Sequence, residues 1–128
     1  MEKNLTDTKN AIRELIGKGE TSEIEFKSAR GGLPGSFWES YSAFANTNGG
    51  TIVLGVVEKN NRFLFDGLTE ETIIRYKKIF WDCAHNKGKT SVCLPRESDV
   101  RIEQVDGSFI LICEIPRASY EFRPVYIN

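Results

Sequence analysis

The chain has 128 residues, 40% of them hydrophobic and 27% charged, and a formal net charge of −1 at pH 7. A chain of this length fits a single domain that buries a sizeable core, which excludes any need for disulfide or metal staples. The balanced charge excludes a broadly basic binder of nucleic acid, so any phosphate contact must come from a local patch.

Residues 6–16 read as a short helix with Ile12, Leu15 and Ile16 on one face, ended by Gly17 and Gly19. Residues 24–28 read as a strand in which Ile24 and Phe26 point one way and Glu23, Glu25 and Lys27 the other. After a loop with adjacent glycines and Pro34, Ser36 and Glu39 stand at capping-box spacing before a helix with the apolar stripe Phe37, Tyr41 and Phe44. Asn46, Thr47 and Asn48 then crowd polar groups at the helix end, and Gly49 and Gly50 supply a tight turn. The run from there to Val57 is β-branched and apolar, as a strand covered on both faces would be. Asn60 and Asn61 turn the chain into a short strand at residues 63–65.

The longest expected helix covers residues 69–85. Ile73, Tyr76, Phe80 and Ala84 line its buried side, and Glu70 and Glu71 sit in its first turn, where they suit the helix dipole. Residues 100–105 and 108–115 form a hairpin through Asp106-Gly107, a type I′ signal. The expectation is therefore an α+β fold: a mixed β-sheet, about three helices and a C-terminal β-hairpin in one domain over residues 1–128. The last residues, 123–128, read as the start of an extended segment, so the chain is expected to be the N-terminal piece of a longer protein. Cys83, Cys93 and Cys113 form no Cys-x-x-Cys pair and read as reduced, mostly buried groups, as in a cytoplasmic protein. No signal-peptide pattern and no apolar run near ~20 residues is present, so no membrane partner is expected.

Three segments carry residues suited to chemistry. Glu20, Glu25 and Glu58 would meet if the first strand neighbours the central one, and Lys27 projects beside Glu25. Clustered carboxylates suit Mg²⁺ or Mn²⁺, and a nearby lysine suits charge developing on a phosphate; the plainer reading is a solvated strand face with one Glu–Lys pair. The polar turn at residues 46–50 has glycines after a helix rather than before one, the reverse of a phosphate-binding loop, and reads as a structural turn. Arg75, Lys77, Lys78, Lys87 and Lys89 lie on or just after the longest helix, where they serve either as nonspecific phosphate contacts or as a solvated face. His85 stands alone and reads as a polar helix-end residue.

With these residues in hand, the chain resembles the Schlafen AlbA-like domain, also called the divergent AAA domain. The resemblance rests on Glu20 followed by Glu25-Phe26-Lys27, on the long run from Ser42 through Asn46, Gly49 and Gly50 to Leu54-Gly55-Val56, and on Ile115-Pro116 with Arg123-Pro124-Val125-Tyr126. It covers roughly residues 20–127. It implies an α+β module at the N-terminus of bacterial transcriptional regulators or helicase-related proteins, with DNA binding as its expected role. In animal Schlafen proteins a related domain cleaves tRNA and rRNA with three carboxylates and a metal ion. By motif position those carboxylates fall on Glu20, Glu25 and Glu58; where the family often has two aspartates, this chain has Val57 and Glu58. Those nucleases join two lobes into a cleft, so one lobe implies a homodimer for a comparable groove.

The leading expectation is thus a nucleic-acid-binding module that holds phosphates with Lys27, Arg30, Lys77 and Lys78. The rival is a metal-dependent ribonuclease with Glu20, Glu25 and Glu58 on Mg²⁺ or Mn²⁺ and Lys27 on the phosphate. A third reading is a dimerisation or scaffold module without a ligand.

Overall fold

Pleat alternation and two glycine positions decide how the chain is laid out. The computed structural model describes residues 12, 14, 23–60, 62–86, 91, 93–125 and 127, the side chains of Glu58 and Arg62 excepted. Its strands are β1 (Ile24–Lys27), β2 (Gly50–Leu54), β3 (Val56–Lys59), β4 (Arg62–Phe65), β5 (Val100–Val105) and β6 (Ser108–Ile115). Its helices are α1 (Ser36–Ala45) and α2 (Glu70–Ala84). The expected first helix falls mostly outside the described residues; Ile12 and Glu14, the two of it that are described, are helical.

Four strands form a mixed sheet in the order β1–β2–β6–β5, and β3 and β4 form a separate two-stranded hairpin. β1 runs parallel to β2, with Glu25 opposite Ile52 and Lys27 opposite Leu54. β6 is antiparallel to both of its neighbours. Ile52, Leu54, Leu111, Cys113 and Ile115 face the two helices, where they meet Phe37, Tyr41 and Phe44 of α1 and Ile73, Tyr76 and Phe80 of α2. Val53, Ile110 and Ile112 face the other way, onto Ile12, Val56 and Phe63. β2 is thus buried on both faces, which explains its unbroken apolar run. The helices meet through aromatic rings: Trp38 stacks on Phe80 at 5.7 Å, and Phe37 meets Phe80 edge-on at 5.7 Å. Each such pair adds about 0.5–1.5 kcal/mol beyond the area it buries.

Local signals explain the helix and hairpin ends. The Thr72 amide donates to Thr69 Oγ1 at 3.2 Å, which starts α2 at Glu70. Asp106 and Gly107 both have positive φ, 50° and 82°, as a type I′ turn requires. At the end of α1 the Gly49 amide donates to the Phe44 carbonyl at 2.8 Å. Gly49 has φ +78°, and a Cβ there would lie 2.8 Å from the Ile115 carbonyl oxygen. No helix among the described residues is long and apolar enough to cross a membrane.

Two local expectations are corrected. The strand read through to Val57 breaks at Gly55, whose φ is +105°. There the Gly55 amide donates to the Lys27 carbonyl and the Gly55 carbonyl accepts from the Asp66 amide, both at 2.9 Å. These long-range bonds turn the chain out of the sheet and into the β3–β4 hairpin. The capping box at Ser36 does not form. Gly35 already has helical angles, so Ser36 is the first residue inside α1, and its side chain makes no cap. The Pro34 carbonyl accepts from the Phe37 amide at 3.0 Å, and the Ser36 hydroxyl is free for another partner.

Candidate nucleic-acid interface

That partner is Lys27. Ile24 and Phe26 pack into the second core, so the pleat sends Glu25 and Lys27 to the helix side of an edge strand. Lys27 Nζ donates to Ser36 Oγ at 3.0 Å and lies 3.5 Å from Glu25 Oε1. The Lys27 side chain is 12% exposed and that of Glu25 is 43% exposed. An ammonium therefore stands at the first residue of α1, where the helix dipole also has its positive end. Cation and dipole end repel one another, and Glu25 offsets part of that charge. Lys27 and Glu25 together carry no net charge, and they stand beside the partially positive end of the helix.

The loop after β1 is held from below. The carboxylate of Asp66, just past β4, accepts from the Ala29 amide at 2.6 Å and from Ser28 Oγ at 3.0 and 3.1 Å. It also lies 3.5 Å from Nε of Arg30. The Asp66 side chain is fully buried, whereas that of Arg30 is 70% exposed. Asp66 thus lies against one edge of a guanidinium on a mostly exposed side chain. Sequence reasoning missed this residue. Asp66-Gly67 after a short strand reads only as a turn, and its partners lie 37 and 38 residues earlier. A lone acid beside a glycine of positive φ was the one local signal.

Lys27 and Arg30 thus both belong to the β1–α1 corner of the chain, Lys27 at the end of β1 against Ser36 and Arg30 on the following loop against Asp66. Lys77 and Lys78 stand on α2, which packs over β5 and β6, whereas α1 packs over β2 and β6. Lys78 is exposed and Lys77 half-buried. Of the three carboxylates that the resemblance implies for a metal, Glu20 lies outside the described residues. Glu58 is on β3 opposite Phe63, its side chain not described. Glu25 is ion-paired with Lys27. Among the described residues no group of three or more His, Cys, Asp or Glu is placed to hold a metal ion.

Asn46 of the polar turn spends its side-chain hydrogen bonds on the fold. Asn46 Oδ1 accepts from the Val125 amide at 2.6 Å, and Asn46 Nδ2 donates to the Val125 carbonyl at 3.1 Å and to Ser42 Oγ at 3.2 Å. Ser42 Oγ donates to the same carbonyl at 2.7 Å. Asn46 of the turn thus clamps the C-terminal segment to the end of α1. Elsewhere Arg101 is ion-paired with Glu114, and His85 caps α2 with its ring stacked on Trp81 at 5.5 Å.

The family model described as Schlafen, AlbA_2 matches residues 20–125. The chain is also similar to a solution NMR structure from Nitrosomonas europaea, the N-terminal domain of a protein related to the ATP-dependent DNA helicase RecG. The two are 27% identical with a TM-score of 0.64, over 98% of this chain and 81% of the other. No curated protein matches the chain.

Proposed function

The chain belongs to the Schlafen AlbA_2 family, and from that premise we propose that it is a nucleic-acid-binding module of a bacterial regulator, gripping phosphates at the β1–α1 corner. The observation that carries this reading is the placement of Lys27 at the N-terminus of α1 with Arg30 held outward by Asp66. A phosphate there gains from an ammonium, a guanidinium and the helix dipole together. The relation of the similar N-terminal domain to a DNA helicase supports the same class of ligand. Lys77 and Lys78 supply a second set of phosphate contacts from α2, and a homodimer would join two corners into one groove.

With a net charge of −1, binding is weak and strongly salt-dependent. Two phosphate contacts predict a loss of about tenfold in affinity between 50 and 200 mM salt, and four predict about a hundredfold. The test is fluorescence anisotropy of labelled duplex DNA and labelled hairpin RNA across that range, with strand integrity read on gels with and without Mn²⁺. Affinity that falls with salt and is insensitive to sequence supports the module. No binding at 50 mM salt overturns it. Metal-dependent cleavage lost in Glu25→Gln would instead favour the ribonuclease.

A further inference from the structure

After β6 the chain returns to the end of α1 and is fixed there twice. The Ala118 amide donates to the Ala45 carbonyl at 2.8 Å, and Val125 is held through both backbone groups by Asn46. Between these anchors lies a loop whose tip is a single 3₁₀ turn, Tyr120–Phe122. Tyr120 is 86% exposed and Phe122 is 52% exposed. Two rings two residues apart thus stand exposed on a loop pinned at both feet.

The charges around the tip indicate what it meets. Arg117 and Arg123 flank it, and among the described residues neither has an acidic partner. The Arg123 guanidinium lies over the Tyr120 ring, 5.8 Å from its centroid, and leaves the ring largely open to solvent. Glu121 stands between the rings, exposed, and disfavours a phosphate at the tip itself. Open π-faces at the tip with cations at its feet match a strand that stacks its bases and lays its backbone to either side.

We propose that Tyr120 and Phe122 form a stacking platform for the unpaired bases of a single-stranded nucleic acid. This site is separate from the β1–α1 corner, at the opposite end of α1, but it rests on the reading of the chain as a nucleic-acid binder. It adds a base contact to a phosphate contact and so gives preference for unpaired over duplex strands.

The test compares wild type with Tyr120→Ala, Phe122→Ala and Tyr120→Trp. Each 128-residue chain is titrated against labelled dT and U 12-mers, and against an abasic 12-mer. Each alanine variant is expected to weaken the base-bearing strands by about 5- to 30-fold. It should leave abasic binding and the salt slope unchanged, since no phosphate contact is lost. Tyr120→Trp should keep the wild-type affinity. Wild-type affinity in both alanine variants, with Arg30→Gln still weakened, overturns the platform alone and points to a protein contact at the tip. If wild type binds no strand, the platform and the underlying reading fall together.

Discussion

Asp66 reaches back 37 residues to accept the amide of Ala29 at 2.6 Å, and so fixes the loop that carries Arg30. A buried carboxylate bearing an exposed guanidinium is a support and its tool. This separates two predictions that simple charge counting would merge. Removing an acid near a phosphate site should strengthen binding if only net charge matters. Asp66→Asn is expected to weaken it, because Arg30 loses its anchor. The same substitution in an Arg30→Gln background should then have no further effect on affinity. Asp66→Ala also strands the Ala29 amide and the Ser28 hydroxyl, and is expected to lower stability by about 1–3 kcal/mol in a urea titration.

The Asn46 clamp predicts a local loss as well as a global one. Asn46→Ala removes both bonds to the Val125 backbone and the one to Ser42. About 1–3 kcal/mol of stability should go with them. Amide exchange at Val125 should speed up far more than exchange in β2 or β6, because the segment loses its anchor while the sheet keeps its ladder.

Gly50→Ala should destabilise the domain through one contact. A Cβ there would lie 2.5 Å from the Phe44 ring, which is packed in the helix-side core. The ring is not the free end of a flexible chain, so it must shift within a packed interior. The expected cost is about 1–3 kcal/mol, read as a lower thermal midpoint with an unchanged circular dichroism spectrum.

High pH should weaken the fold through Tyr41. Burial pushes its hydroxyl up from 10.0 to about 12, against a smaller opposing effect of the hydrogen bond from the Leu94 amide. The folded state holds this proton more tightly than the unfolded state. The stabilisation is therefore complete below pH 10 and is lost as pH rises from 10 toward 12. Phenolate absorbance should show Tyr41 as the late tyrosine, and Tyr41→Phe should flatten the decline. Cys113, whose thiol burial also pushes up, should resist thiol reagents in the folded protein.

Much of this fold could be read in advance because its signals are local. Ile73, Tyr76 and Phe80 repeat at helical spacing, Asp106-Gly107 names its own turn, and the glycines after Asn46 mark where α1 must stop. What escaped was decided at a distance. Val56 and Val57 look like more of β2, and only the bonds from Gly55 to Lys27 and Asp66 turn them away. At the site, alternation along β1 placed Lys27 beside Glu25, but it could not show that Ser36 is the third member. Asp66 was invisible for the same reason, since its role depends on β4 lying beneath the β1 loop. The Tyr120 and Phe122 tip escaped because burial, not residue type, distinguishes a core ring from an exposed one.

The most direct test of the phosphate grip is Arg30→Gln, a substitution at a 70% exposed side chain that should leave the fold intact. The measurement is affinity for duplex DNA as a function of salt, for wild type and variant side by side. Weaker binding at 50 mM salt is expected, to a similar degree for every sequence, with a log–log salt slope shallower by about 0.9. An unchanged affinity and an unchanged slope would contradict it.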